Sequence, residues 1–359
     1  MSAPVVLHLN NEGKLTPRSR FTGAFRRLQA GGFLVHVPKA PRAELIRGGR
    51  HAALAALEDG ILQYRPDVIF VQSPHGFPFS YEDVTRLLRL AGSPLVVYQE
   101  GDAWGRNKRL PLSSRSWLRV ADAVFSVAGG AQLAMLRSIA RKQVRYVPHT
   151  LPLDCFPEQD CSAPPGERAA FDVVTIGNSV VRARIVPRLP GAGDRARVVR
   201  GLGRLDCRFG AFGLGWHGPY ARGPVPFERQ IAVLHSARMS VGWDHYGKYP
   251  GYFSDRLPIC GAAGRVHVGQ YRPGMGWLPG APDGLHLVRT PRDVVERVKT
   301  LLHSEQRELD SAGERLRRWM RSRLTDLQSV QFMLGQFMPL PTPPADPWQQ
   351  IAAWEESPE

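Results

Sequence analysis

The chain lacks the features that would place it quickly. It has no long apolar run: the longest, as around Asp67–Gln72, are strand-sized, and none approaches the roughly 20 residues that cross a bilayer. The opening MSAPVVLHLN has neither a basic n-region nor an apolar h-region, so no signal peptide is expected and the protein is read as cytoplasmic. Cys155, Cys161, Cys207 and Cys260 are scattered with no C-x-x-C pair. That spacing argues against structural zinc, and a reducing compartment argues against disulfides, leaving incidental thiols. No H-E-x-x-H, G-x-S-x-G or D-x-D string occurs, so neither a metal site nor a hydrolase elbow is expected. The string GAAG (261–264) closes a helix rather than joining a strand to one, so it is no dinucleotide fingerprint.

What is present is ordinary in amount and unusual in sign. At 359 residues the chain is long for one domain and comfortable for two. Net charge is +15, which raises nucleic acid as a partner. The basic residues, however, are nearly all arginine and are spread along the chain, with no basic run interleaved with aromatics. Attraction of an anionic small molecule uses that charge better, and no nucleic-acid partner is expected.

Strand-like and helix-like patterns alternate through the first half. PVVLHLN (4–10), FLVHVPK (33–39), DVIFVQS (67–73), PLVVYQE (94–100), ADAVFSV (121–127) and VRYVPHT (144–150) read as strands. Helical spacing recurs at 19–31, 51–64, 81–91 and 129–141. After a proline-rich, aperiodic stretch the rhythm restarts with FDVVTIGN (171–178), CRFGAFG (207–213), RMSVGWD (238–244) and RVHVGQY (265–271). Helices are expected at 227–237, 256–264, 291–302 and along 305–337. Such alternation predicts an α/β protein of two Rossmann-like, doubly wound domains. The expected division is 1–153, a linker at 154–170, a second domain at 171–338 and a Pro-rich tail at 339–359.

Two strings sharpen this. DVVTIGNSVVRARIV (172–186) resembles the opening of the C-terminal domain in GT-B glycosyltransferases, where a strand meets a glycine turn and then a helix with a basic residue. YFSDRLPICGAAGRVHV (252–268) resembles the S-x-R-x-F-E-x-x-A-x-G segment of their spore-maturation-protein-like, group 1 branch. Between them, 216–246 is similar to a stretch that touches the nucleotide in that family, and 121–156 to its closing strand, helix and linker. The resemblance covers roughly residues 65–302. It implies two domains facing across a cleft and a nucleotide-sugar donor, UDP- or GDP-linked, in the second. It also implies a small-molecule or glycan acceptor at the first, no metal ion and a retaining outcome. One departure stands out: at the two glutamates of the retaining Glu-x7-Glu pattern this chain has Gly251 and Ile259. Asp244 and Asp255 are the nearby carboxylates expected to replace them in gripping the ribose. The alternatives are a sugar-nucleotide epimerase, or a non-catalytic nucleotide- or glycan-binding protein on the same scaffold.

Charge builds on a diphosphate leaving group, so fixed donors aimed there contribute most to rate. Gly177 and Asn178 give the turn a close backbone approach, and Arg182 offers a bidentate grip on phosphate. Arg184, Lys248, Tyr252 and Arg256 are further candidates. Ser254 and Asp255 either cap the following helix or mark a helix start whose amides point at the diphosphate. In the first domain, His75 and Asp102 follow strands, where ligands gather, and either can take a proton or stabilise positive charge. The plainer readings are a solvated arginine, a loop histidine and turn chemistry beside Gly101.

Overall fold

The computed structural model describes residues 3–13, 20–104, 109–161, 169–182, 186–187, 189–343 and 345–356. Packing divides the chain into two units, Met1–Pro148 with Asp326–Pro358, and His149–Thr325.

The first unit alternates β1 (Val5–Leu9), α1 (Arg20–Ala30), β2 (Val35–Lys39), α2 (Pro41–Tyr64), β3 (Val68–Gln72), α3 (Tyr81–Leu90), β4 (Leu95–Glu100), α4 (Leu112–Val120), β5 (Ala123–Ser126), α5 (Ala131–Ala140) and β6 (Val144–Tyr146). The strands form one parallel sheet in the order β2-β1-β3-β4-β5-β6. Strand order therefore reverses between β1 and β3, the switch point at which ligands of doubly wound sheets bind. VIFVQ of β3 is nearly continuous in apolar residues because helices cover both faces, and Val68, Ile69, Phe70 and Val71 are all buried. Helix α3 begins at a capping box, the Ser80 hydroxyl accepting from the Asp83 amide while the Asp83 carboxylate accepts from the Ser80 amide. Helix α2 starts ten residues before the expected one, at Pro41 rather than 51, with a kink at Gly49 (φ 76°). Apolar spacing shows only the part after that kink.

The second unit contains α6 (Glu158–Cys161), β7 (Phe171–Ile176), β8 (Val181–Arg182), β9 (Val186–Pro187), α7 (Ala192–Leu202), β10 (Phe209–Phe212), β11 (Ala221–Gly223), α8 (Gln230–His235), β12 (Ala237–Val241), α9 (Arg256–Ala262), β13 (Val266–Gln270), β14 (Leu285–Val288), α10 (Pro291–Leu302) and α11 (Gln306–Arg323). Its parallel sheet runs β11-β10-β7-β12-β13-β14, with the switch point between β7 and β12. Helix α10 has the bounds its pattern predicts: Thr290 and Asp293 form a capping box, and Val294, Val298 and Leu301 face the core.

Two expectations fail for local reasons. Among the described residues no helix follows the turn at Gly177 before Ala192. β8 and β9 pair antiparallel instead. Val180, Val181, Ile185 and Val186 favour extended backbone, and Pro187 cannot sit inside a helix. The expected helix 305–337 also breaks. The chain leaves α11 at Leu324 (φ −130°, ψ 58°), whose carbonyl accepts the Leu151 amide at 2.9 Å, while Thr325 bridges to Leu151. Two further helices, α12 (Asp326–Leu334) and α13 (Ala345–Glu356), belong to the first unit. There Trp354 packs edge-on to Tyr146 at 4.8 Å, and Phe332 lies 5.3 Å from Trp348. Residues 326–338 therefore pack with the first unit, not the second, and the proline-rich stretch 339–343 leads into a packed helix.

Candidate active site

In the second unit the strand ends at the switch point gather charge. Gly177 follows β7 at φ 154°; a Cβ there would lie 3.3 Å from Nη1 of Arg195 and 3.7 Å from Nε of Arg256. The turn is fastened from below. Trp216 donates to the Gly177 carbonyl at 2.6 Å, and Asn178 accepts the Leu214 amide at 2.9 Å. Asn178 is thus used structurally, its carbonyl also accepting from Arg195 at 3.1 Å.

Arg195 lies in the first turns of α7 and is 5% exposed. Its Nε donates to the Trp243 carbonyl at 2.6 Å, whereas its Nη2 is buried without a hydrogen-bond partner, 3.9 Å from Oδ1 of Asp244. Asp244, just past β12, is the hub. It accepts from the Ser254 hydroxyl at 2.7 Å and the Ser254 amide at 3.0 Å, with Arg256 at 3.5 Å and Arg272 at 3.8 Å. Arg272, 1% exposed after β13, donates to the Tyr252 carbonyl at 2.5 Å and to Gln270 at 2.6 Å. Three guanidinium groups thus surround one carboxylate.

The titrations follow from that surplus of positive charge. Burial alone would raise the Asp244 carboxyl, but Arg272, Arg256 and Arg195 hold it well below the usual carboxylate range. Burial, with Arg256 beside it, pulls Arg195 down from the ordinary arginine range. Burial followed by the fields of Arg195 and Arg256 lowers His245 to about 3, so its imidazole is neutral, and its buried Nδ1 has no partner.

Several expectations need correcting here. Ser254 spends both its hydroxyl and its amide on Asp244, so that amide is not offered to a ligand. Asp255 occupies the cap position of α9 without a side-chain cap bond. Asp244 is an internal counter-ion rather than a free carboxylate awaiting a ribose. Lys248 is exposed and makes no ion pair with this group. The Arg182 backbone lies in β8 and its side chain is outside the described residues, as is all of Arg184. Arg256 and Tyr252 do join the cluster. Arg195, Arg272 and His245 were missed, because only the sheet topology brings 195, 244 and 272 together.

In the first unit, His75 and Asp102 meet. His75 Nδ1 lies 3.2 Å from Oδ2 of Asp102, and Nε2 lies 2.8 Å from Oε1 of Glu100, whose side chain is fully buried. Glu100 also accepts from the Tyr98 hydroxyl at 2.7 Å and the Asp102 amide at 3.0 Å. Ser73, at positive φ after β3, ties the two loops together by accepting the Gly101 amide at 2.9 Å. Trp104 stands edge-on to the imidazole at 4.5 Å. Burial would lower His75, but hydrogen bonds to Asp102 and Glu100 and their charges raise it to about 9. It is therefore an imidazolium at neutral pH. Glu100 was overlooked, although alternation along β4 places Tyr98 and Glu100 on one face.

No family model matches this chain, and no curated protein is similar at the sequence level. Solved structures are similar. A sucrose-phosphate synthase from Thermosynechococcus elongatus superposes with TM-score 0.60 at 13% identity, covering 98% of this chain and 99% of its own. Anabaena HepE, solved with UDP and glucose, gives 0.58 at 12%, covering 93% and 99%. The T4 phage β-glucosyltransferase gives 0.52 at 13%, covering 88% and 94%. The fold is GT-B. Its two six-stranded parallel sheets are the two Rossmann-like halves of that architecture.

Proposed function

We propose that this protein is a glycosyltransferase that moves a sugar from a nucleotide-activated donor, UDP- or GDP-linked, to a small-molecule or glycan acceptor. The observation that carries the reading is the cluster at the β7/β12 switch point, where Arg195, Arg256 and Arg272 outnumber Asp244 and a buried guanidinium nitrogen lacks a partner. An unpaired buried donor costs about 1–3 kcal/mol, more when charged, so the arrangement suits an acceptor-rich anion. A diphosphate supplies such oxygens, and its growing charge in the transition state is where fixed guanidiniums act. In this reading the arginines provide the charge that other transferases take from a metal ion. Gly177 allows the backbone to come close, and Tyr252 and Ser254 hold Arg272 and Asp244 in place.

We assign the acceptor to the first unit. Both His75 nitrogens face carboxylates and the ring is protonated, so it is no general base in this state. Asp102, 42% exposed, is the member of the group that can meet an acceptor hydroxyl. It orients that hydroxyl, while the departing phosphate oxygen takes the proton. This favours a retaining outcome, since that route asks for no enzymic base. The test is NMR of donor and candidate acceptors with the protein, followed at the anomeric proton. Transfer with retained configuration is expected. Donor converted to another sugar nucleotide without acceptor would instead indicate an epimerase, and no change in any donor would leave a binding protein.

A further inference from the structure

At the β6 edge of the first sheet, two strands over from β4, the C-terminal helices line an open cavity of about 300 Å³, the low end of small-molecule sites. Its polar lining comes from Arg145 on β6, Gln331 on α12, Gln336 and Thr342 beyond it, and Gln349 on α13. Leu340, Pro341 and Pro343 supply aliphatic wall, and among the described lining residues there is no carboxylate.

Gln331 is the informative residue. It is only 9% exposed, yet its carboxamide makes no hydrogen bond among the described residues. Neither polar atom of that carboxamide is among the fully buried unpaired ones, so both stay open to a ligand that enters the cavity. A carboxamide offers one acceptor and two donor hydrogens, which matches neighbouring hydroxyl groups. A second feature narrows the ligand. The Arg145 guanidinium lies 4.8 Å over the Phe332 ring, and Trp348 packs on the same ring at 5.3 Å with planes 37° apart. The Phe332 ring is thus already engaged by a guanidinium and an indole. The remaining surface of aliphatic C–H groups, amides and one hydroxyl suits a saturated ring carrying hydroxyls.

We propose that this cavity binds one sugar unit, independently of the strand ends that carry His75 and Asp102. Its test is saturation-transfer NMR with the methyl glycosides of glucose, galactose, mannose and N-acetylglucosamine, and with adenosine as a planar competitor. Wild type is compared with Gln331→Leu, which removes the amide, and Ala352→Leu, which fills the cavity from α13. At least one glycoside should receive transfer in wild type and lose most of it, fivefold or more, in both variants, each shown to be folded by circular dichroism. If either variant fails to fold, the other carries the test alone. No transfer to any glycoside, transfer unchanged in the variants, or loss confined to adenosine would overturn the proposal. Nucleotide binding by the second unit should be unaffected, so failure here and failure of the glycosyltransferase reading are separate results.

Discussion

The imidazole of His75 sits 2.8 Å from a Glu100 carboxylate that has no exposure to solvent. A buried carboxylate needs a paired cation and further donors, and Glu100 has His75, the Tyr98 hydroxyl and the Asp102 amide. Replacing it by Gln keeps the shape and removes the charge. In Glu100→Gln the His75 pKa should fall by at least one unit from about 9, read by NMR titration of the imidazole carbons. A change in activity with an unmoved pKa would show that Glu100 is merely structural.

The same pair sets an alkaline limit to stability. His75 titrates higher folded than unfolded, so its contribution is complete below about pH 6.5 and is lost as pH rises through about 9. The shift corresponds to about 3 kcal/mol at most. Chemical denaturation of wild type should show a fall between about pH 6.5 and 9 that His75→Gln lacks.

Acid should act elsewhere. His8 is fully buried, with Nδ1 3.3 Å from His36 and Nε2 2.9 Å from Gln72. Burial and its neighbour lower His8 to about 3, and burial with Arg26 lowers His36 to about 4. The unfolded chain takes up these protons first, so stability falls as pH drops below about 6.5. At pH 5 the cost is roughly 2 kcal/mol for each such histidine. Melting curves at pH 7 and pH 5 check this, and His8→Gln should shrink the difference by the share of one histidine while His36 keeps its own.

Gly177 and Gly213 should behave differently. A Cβ at Gly177 meets the end of the Arg195 side chain, which can shift, whereas one at Gly213 would lie 2.4 Å from the Gly177 carbonyl oxygen. Both glycines sit at positive φ, so either alanine is strained; Gly177→Ala should lose less stability than Gly213→Ala and bind UDP at least tenfold more weakly by calorimetry. Gly213→Ala should lower the melting temperature by several degrees, since backbone must move to admit it.

The α/β rhythm was legible because most strands and helices carry their period locally, as in VIFVQ of β3 and the capped helix α10. The candidate site was legible only where it lies at a strand end. His75 and Asp102 could be found that way, and the structure brings them together; their roles are proposals. Arg195, 49 residues before Asp244 and far from Arg272 along the chain, is one arginine among many until parallel strand order places α7 beside the ends of β12 and β13. The break between α11 and α12 was hidden for a similar reason. Its cause is a pairing of Thr325 with Leu151, 174 positions earlier.

Calorimetric titration of UDP and GDP into wild type and Arg195→Met tests the central claim most directly. One nucleotide should bind wild type in the micromolar range, weaken as salt rises, and lose at least tenfold in the variant, about 1.4 kcal/mol or more. No binding of either nucleotide to wild type, or equal affinity in Arg195→Met, would contradict the assignment of the arginine cluster to a donor diphosphate.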